Sequence, residues 1–171
     1  MAEVGILGPE DHVELIEGEI VEMSPIGPRH ATCVNALTRR LLHAVGDRAV
    51  LSPRNPVRLP PDSEPQPDVV LLRPPEARYW DHRAELADAM LVVEASETSY
   101  RYDRHVKLSL YARAGVPEVW IVDLAHAVVE VFREPREAGY AFEQRVERGG
   151  MIAPAALPDA TIAVTEILPP V

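Results

Sequence analysis

The sequence predicts one α/β domain, residues 1–171, with a mixed central β-sheet flanked by helices. The order strand, helix, strand between residues 90 and 122 is typical of a crossover that joins parallel strands. Hairpin patterns at residues 12–23 and 127–146 add antiparallel strands. A chain of 171 residues with 47% apolar side chains normally folds around one core. These observations together favour a single domain built on a mixed sheet.

The first half of the chain predicts a hairpin, a long helix and two strands. Apolar residues alternate over 12–23 around a Glu-Gly turn, which is typical of a short hairpin. Pro28 suits a first helical position, and apolar residues then recur at helical spacing until Gly46: Ala31, Val34, Leu37, Leu41 and Val45. Residues 50–59 form a strand pattern interrupted by prolines, which predicts an edge strand. The next predicted strand covers 68–72.

The second half predicts a strand, a helix and further strands. Residues 90–96 form a continuous apolar strand of the buried type. Ser96 or Ser99 is expected to cap the next helix, which ends at Gly115. The remaining predicted elements are a strand at 118–122, a hairpin of 127–133 with 140–146, and a short strand at 161–164.

The chain is acidic, but its charge is unevenly distributed. The formal net charge of −10 at pH 7 argues against simple charge-driven binding to nucleic acid. Residues 29–58 nevertheless hold six arginines against one aspartate, whereas residues 1–22 hold seven acids and no arginine or lysine. The basic stretch is compatible with phosphate contacts and equally with scattered surface arginines.

The sequence predicts a cytoplasmic protein without a membrane partner. Its apolar runs are far shorter than the roughly 18–20 residues of a membrane span. The first residues lack the basic, apolar and small-residue pattern of a signal peptide. Cys33 is the only cysteine, so it cannot form an internal disulfide, and its expected role is that of a small core residue.

Two acids and one lysine form the candidate catalytic site. Lys107 is the only lysine of the chain, and it follows Asp68, which heads a predicted strand, and Glu94, near the end of another. If these strands are antiparallel neighbours, the two carboxylates meet at one edge of the sheet. Mg²⁺ or Mn²⁺ can bind there with water and phosphate oxygens. Lys107 can reach this edge to orient or deprotonate water, or to offset charge on a phosphate.

Each member of this trio also has a purely structural explanation. Asp103 and Lys107 are four residues apart and could form a surface helix pair worth about 0.3–0.5 kcal/mol. Asp68 could be only the first residue of a strand. Glu94 is harder to dismiss, because an acid inside an apolar run must be paired, ligated or shifted in pKa if it is buried.

Several stretches of the chain resemble a known family. They are Pro67-Asp68, Val93-Glu94-Ala95-Ser96, Asp103-Arg104-His105-Val106-Lys107, Tyr111 to Asp123, Glu14 to Pro25, and Arg29-His30. These stretches are similar to the Uma family of predicted endonucleases, within the PD-(D/E)XK nuclease superfamily. The resemblance covers nearly the whole chain. It implies a restriction-endonuclease-like core with an extra N-terminal hairpin and extra C-terminal strands.

The resemblance also implies a divalent-metal nuclease site. It gives the catalytic roles to Asp68, Glu94 and Lys107. The metal, Mg²⁺ or Mn²⁺, would bind Asp68, Glu94 and the backbone carbonyl of Ala95. The superfamily pattern has lysine two residues after the second acid, and this chain has Ser96 there. Lys107 would therefore have to substitute from the following helix.

Further residues are secondary candidates. Glu19 is expected as an added carboxylate near the ion, and His30 as a polar contact, although a satisfied core histidine is the alternative for His30. Arg39 and Arg40 of the first helix are expected to contact the nucleic-acid backbone.

The predicted function is metal-dependent endonucleolytic hydrolysis of phosphodiester bonds, with DNA as the favoured substrate. One alternative is a catalytically inactive nuclease fold that binds nucleic acid or forms oligomers. Another is a phosphoesterase acting on small nucleotides, which would share the site without needing the arginines. A homodimer or higher oligomer is also expected, with Trp120 and the apolar C-terminal tail at the interface.

Overall fold

A six-stranded mixed sheet forms the centre of the fold in the computed structural model, which describes residues 12–170. The strands are β1 (Val13–Ile16), β2 (Glu19–Glu22), β3 (Val50–Pro53), β4 (Val69–Leu72), β5 (Ala89–Ser96), β6 (Glu118–Asp123), β7 (Val128–Arg136), β8 (Gly139–Glu147), β9 (Met151–Ile152) and β10 (Ile162–Ala163). The central sheet has the order β3-β4-β5-β6-β7-β8, and β1-β2 and β9-β10 are separate pairs. Only β5 and β6 are parallel neighbours among these described strands. The predicted mixed sheet with an N-terminal hairpin and C-terminal strands is confirmed.

Two helical segments accompany the sheet. Helix α1 (Pro28–Val45) has proline in its first turn and stops at Gly46, whose φ of 54° lies in the left-handed region that favours glycine. The second segment continues from α2 (Tyr100–Tyr102) through a π-helical turn (Asp103–Lys107) into α3 (Leu108–Arg113). Short 3₁₀ turns cover Gly46–Arg48, Glu76–Tyr79, Leu86–Asp88 and Val164–Glu166. None of the helices over residues 12–170 has the length and apolar character needed to cross a membrane.

The two faces of the sheet bury different helices. On one face, α1 packs its apolar stripe, Leu37 and Leu41 included, against Leu91 and Val93 of β5. On the other face, Leu108 and Tyr111 of α3 pack against residues such as Val70, Val92, Val119 and Ile121. Because successive strand side chains point to opposite faces, Glu94 lies on the α3 face. The sheet therefore carries an acid beneath the second helical segment.

The edge strand is shorter than its pattern predicts. β3 pairs only with β4 among the described strands, so its edge position is confirmed, but it ends at Pro53. Arg54 has a φ of 54°, which turns the chain out of the strand. Beyond it, Val57 donates its N–H to the carbonyl of Pro65 in a separate turn. Prolines at 53 and 56 lack the N–H needed to extend the ladder.

Two expectations about single residues are wrong. Ser99 precedes α2, but its hydroxyl bonds the Asp103 carboxylate at 2.6 Å instead of capping the helix, and Ser96 bonds the same oxygen at 2.7 Å. Trp120 is 0% exposed, and its indole N–H donates to Glu118 at 2.8 Å. Because Trp120 lies inside the core, it cannot form an oligomer interface.

Cys33 should be chemically inert in the folded protein. It is 3% exposed on the inner face of α1, and burial, followed by the negative charge of Asp68, raises the pKa of its thiol to about 12. We expect Ellman's reagent at pH 8 to label native protein at least about a hundredfold more slowly than an exposed thiol. In denaturant, one thiol per chain should react at once. Rapid labelling of the native protein would show that α1 does not bury this residue.

Candidate active site

Asp68 and Glu94 come together at one end of the β4-β5 pair. These strands are antiparallel with Val69 opposite Val93, which brings Asp68 beside the end of β5. The carboxylate Oδ2 of Asp68 accepts the N–H of Ala95 at 2.8 Å. The condition stated from the sequence, antiparallel neighbouring strands, is therefore met.

Lys107 lies beside Glu94 and is buried there, and we call these acids, Lys107 and the side chains in contact with them the cluster. Its Nζ is 3.0 Å from Oε1 of Glu94 and 3.1 Å from Oε2 of Glu14. Its side chain is only 6% exposed, and Asp103 is buried as well. A surface ion pair between Asp103 and Lys107 is therefore wrong, because the π-helical turn packs this side of the helix onto the sheet. Lys107 reaches Glu94 from the helical segment, whereas the hydroxyl of Ser96 donates a hydrogen bond to Asp103.

Glu14 is a member of the cluster that the sequence analysis missed. Its carboxylate accepts the N–H of Gln66 at 3.2 Å in addition to contacting Lys107. A signal for it exists in the sequence, because Glu14 lies in phase with Ile16, the buried apolar residue of β1. An acid on the buried phase of a strand needs a partner.

Glu19 is not brought into the cluster by the described contacts. It lies opposite Ile16 in the hairpin, and therefore on the same face as Glu14, but its side chain is exposed. None of the side-chain hydrogen bonds or ion pairs found within residues 12–170 involves its carboxylate. Its role near an ion stays a prediction.

Tyr111 adds a second hydrogen bond to Glu94. Its hydroxyl donates to Oε1 of Glu94 at 2.5 Å, and it follows Lys107 by one helical turn. Oε1 thus has two donors, whereas Oε2 has no hydrogen-bond partner within residues 12–170. The same is true of Oδ1 of Asp68, whose side chain is 14% exposed. Each carboxylate therefore keeps one oxygen for a further ligand.

The cluster contains more negative than positive groups. Glu14, Glu94 and Asp103 surround Lys107, and the charge of Asp68 acts on Glu94. Burial, together with the charges of Asp103 and Asp68, raises the pKa of Glu94 to about 8, against the opposing effect of Lys107. Burial also disfavours the Lys107 ammonium, but attraction by Glu94, Glu14 and Asp103 outweighs it and raises the pKa of Lys107. Lys107 therefore stays protonated, whereas ionisation of Glu94 is disfavoured.

His30 supports Asp68 from the first turn of α1. Its Nε2 lies 3.0 Å from Oδ2 of Asp68. This hydrogen bond raises the pKa of His30, although burial of the imidazole opposes the shift. Its Nδ1 is buried without a partner in the described part of the chain, and so is the hydroxyl of Tyr102. Burial raises the pKa of the Tyr102 hydroxyl, and the negative charge of nearby Glu14 raises it further. Buried polar atoms of this kind normally have a protein or water partner.

The arginines expected on α1 lie away from the cluster. Arg40 forms an ion pair with Glu166 at 3.0 Å, on the C-terminal side of the fold. Arg39 is exposed, and nine residues of helix place it about 14 Å along the axis from His30. Arg54 is closer. Its N–H donates to the carbonyl of Asp68 at 3.0 Å, its side chain is exposed, and its charge acts on His30.

The donor set suits a hard divalent ion with incomplete protein coordination. Asp68 and Glu94 offer the two unpaired carboxylate oxygens, and within residues 12–170 no group of three or more His, Cys, Asp and Glu side chains is arranged to hold an ion. Mg²⁺ and similar ions commonly bind one or two carboxylates and keep water or phosphate oxygens as the remaining ligands. The residues present therefore fit such an ion.

Comparison with known proteins identifies the family. Residues 3–165 match the model of the Uma2 family, described as "Putative restriction endonuclease". The chain belongs to the Uma2 family. This membership supports a nuclease function for the chain and confirms the resemblance seen in its motifs.

One solved structure supports the fold of this Uma2 protein. A putative nuclease belonging to DUF820 from Anabaena variabilis matches with a TM-score of 0.77 and 14% identity, over 96% of this chain and 94% of that one. The type IIG restriction endonuclease BpuSI matches with a TM-score of 0.40 and 17% identity, over 81% of this chain but only 14% of its own. A search of curated proteins finds no match. The first comparison supports a restriction-endonuclease-like fold.

Replacing Lys107 with methionine should destabilise the protein in a pH-dependent way. The substitution leaves Glu94 buried without its cation, so the pKa of Glu94 should rise further above its unfolded value. A carboxyl group with a raised folded pKa contributes stability at low pH that is lost as the pH rises. We therefore expect a loss of about 3–5 kcal/mol at pH 8.5 and a smaller loss at pH 5, measured by urea unfolding.

Arg39→Met is the matched control for this measurement, because it removes an exposed cation from α1. It should change the unfolding free energy by less than about 0.5 kcal/mol at either pH. An equal loss at pH 5 and pH 8.5 for Lys107→Met would contradict the ionic account of the cluster.

Proposed function

We propose that this Uma2 protein is a divalent-metal-dependent endonuclease that hydrolyses phosphodiester bonds, most readily in DNA. The supporting observation is the approach of Asp68 and Glu94 at the end of β5, each with one unpaired oxygen, beside a buried Lys107 that contacts Glu94 at 3.0 Å. Family membership makes a nuclease the expected class. Nucleic acid as partner and a cytoplasmic location belong to the same proposal.

Asp68, Glu94 and the carbonyl of Ala95 would hold Mg²⁺ or Mn²⁺. An ion there supplies positive charge that polarises the scissile phosphate. Oδ2 of Asp68 is held by His30 and by the N–H of Ala95, so Oδ1 would be the oxygen available to the ion. His30 therefore acts as a positioning residue for Asp68 in this proposal.

Lys107 would stabilise charge rather than abstract a proton. Its pKa is raised by the surrounding acids, so it remains an ammonium at neutral pH. Glu94 and Glu14 fix Nζ in place, and a fixed positive charge in a buried site favours a transition state that gains negative charge. Lys107 can also orient the attacking water as a hydrogen-bond donor. The water itself would lose its proton to another acceptor.

On the substrate side, Arg54 is better placed than Arg39 or Arg40 to contact a phosphate. It is exposed next to Asp68, and none of its contacts within residues 12–170 is a side-chain ion pair. Its φ of 54° is unusual for a residue other than glycine and costs of order 1 kcal/mol. Arg39 stays a prediction for a more distant phosphate.

Cleavage of supercoiled plasmid and of single-stranded DNA with Mg²⁺ or Mn²⁺ tests the proposal. We expect metal-dependent cutting by the wild type, no cutting by Asp68→Asn, and a rate about 10²–10³-fold lower for Lys107→Met, because each removes a charge that the reaction needs. Asp47→Asn, which changes an exposed acid after α1, should cut like the wild type.

Two outcomes of this assay would contradict the proposal. Cutting that persists in Asp68→Asn would remove Asp68 from the mechanism. Failure of the folded wild type to cut with either ion would favour the inactive binding module, a reading to which Ser96 at the usual lysine position also points. Cleavage of small nucleotide esters but not of DNA would favour the phosphoesterase instead.

Substitution of Arg54 should weaken binding to DNA without reading its sequence. Asp68→Asn, which should not cleave DNA, is the background for this measurement. In it, Arg54→Ala should lower the affinity for DNA. It should also reduce the magnitude of the slope of the logarithm of the association constant against the logarithm of the salt concentration by about 1, since one phosphate contact is lost. Fluorescence anisotropy with labelled duplexes at several salt concentrations measures both. Arg39→Ala in the same background shows what the first helix contributes. An unchanged slope for Arg54→Ala would exclude its phosphate contact.

A further inference from the structure

Strand β8 is an open edge of the central sheet. It is the last strand in the order and has β7 as its only neighbour within residues 12–170. It is nine residues long, and residues 141–145 are exposed. The outer edge of such a strand presents unpaired N–H and C=O groups, which favour pairing with another strand. Protein edges of this length are normally covered or blocked, so the partner of β8 needs an explanation.

The sequence of β8 is complementary to itself in one antiparallel register. When two copies pair around a two-fold axis through Gln144, Glu143 of each copy lies opposite Arg145 of the other. In the same register, Phe142 lies opposite Val146, and this pair also occurs twice. Opposite charges and apolar pairs directly across an antiparallel ladder are both stabilising.

Neighbouring registers lack this match. An axis through Arg145 would place Glu143 opposite Glu147, which is repulsive, and Gln144 opposite Val146. An axis through Glu143 would place Glu143 of one copy opposite Glu143 of the other, which is also repulsive. The two-fold axis through Gln144 is therefore the register that the side chains favour.

The side chains concerned already occupy defined positions on the sheet. Glu143 lies opposite Phe132 on the α3 face, where it accepts from Arg104 at 3.0 Å. Val146 packs against the core on the α1 face, and Phe142, on that same face, is 36% exposed. The charged pairs and the apolar pairs would thus form on opposite faces of one extended ladder.

We propose that β8 is the dimer interface of this protein and that its occupant is β8 of a second copy, paired antiparallel through Gln144. The pairing joins two six-stranded sheets into one continuous sheet. It is isologous and closes after two copies, so it leaves no further open edge at β8. This interface replaces the one expected at Trp120.

Charge variants of β8 test the register. Glu143→Arg makes both opposing pairs Arg with Arg, and Arg145→Glu makes both Glu with Glu. Each variant alone should self-associate at least about tenfold more weakly than the wild type in sedimentation equilibrium. An equimolar mixture restores opposite charges at both pairs and should form a heterodimer with affinity close to that of the wild-type dimer. Thermal unfolding of each variant checks that it folds.

Disulfide trapping tests the same register in a chain with an unaltered ion-pair pattern. Gln144→Cys lies on the axis, so the two cysteines face each other at about 4.5–5.5 Å between Cα atoms, within reach of a disulfide. Ala141→Cys is the control, because its two copies would be about 20 Å apart. Cys33 is buried and does not interfere. Oxidation should give a covalent dimer of Gln144→Cys only.

Three results would overturn the proposal. The first is a wild-type protein that remains a monomer up to about 100 μM, a concentration at which a specific dimer should form. The second is a mixture of folded charge variants that associates no better than either alone. The third is equal trapping at 141 and 144, or trapping at neither position.

Discussion

The buried contact of Lys107 with Glu94 and Glu14 is the interaction on which the arrangement of the site depends. It joins three parts of the chain: the hairpin strand β1, the central strand β5 and the helical segment after it. Two carboxylates buried without a cation would cost several kcal/mol, and one ammonium buried alone would do the same. Lys107 can be buried only because these strands bring the acids to it. The hairpin, although outside the main sheet, is therefore fixed over the end of the sheet that carries Asp68 and Glu94.

A second consequence of this contact is the charge balance of the site. One lysine faces several acids, and burial, together with the charges of Asp103 and Asp68, raises the pKa of Glu94 to about 8 against the opposing effect of Lys107. Glu94 uses only Oε1 in its hydrogen bonds within residues 12–170, with Lys107 and Tyr111 as donors. Asp68 uses only Oδ2, which contacts His30 and the Ala95 N–H. A divalent ion bound to the remaining oxygens of Asp68 and Glu94 would also reduce the repulsion between these two carboxylates. In the proposed mechanism, these groups are held in place before an ion or substrate binds, which would lower the reorganisation required in the reaction.

Much of this arrangement follows from the sequence, and the remainder depends on packing between distant segments. Asp68 and Glu94 could be paired because each marks a strand end, and Lys107 stands out as the only lysine. Glu14 was missed because the hairpin contains several similar acids, and only its packing over the helix decides which one is buried. Asp103 looked like a surface partner because helical spacing does not reveal a π-helical turn. The ion pair between Arg40 and Glu166 joins segments far apart in the sequence, so the local sequence pattern could not predict it.

Isothermal titration calorimetry with Mn²⁺ shows whether Asp68 and Glu94 together bind one divalent ion beside Lys107. We expect one ion bound per chain, with binding lost in Asp68→Asn and in Glu94→Gln and retained in Asp47→Asn, which changes an exposed acid after α1. Binding of equal strength in the wild type and in Asp68→Asn would contradict the account. So would the absence of any Mn²⁺ binding to the folded wild type.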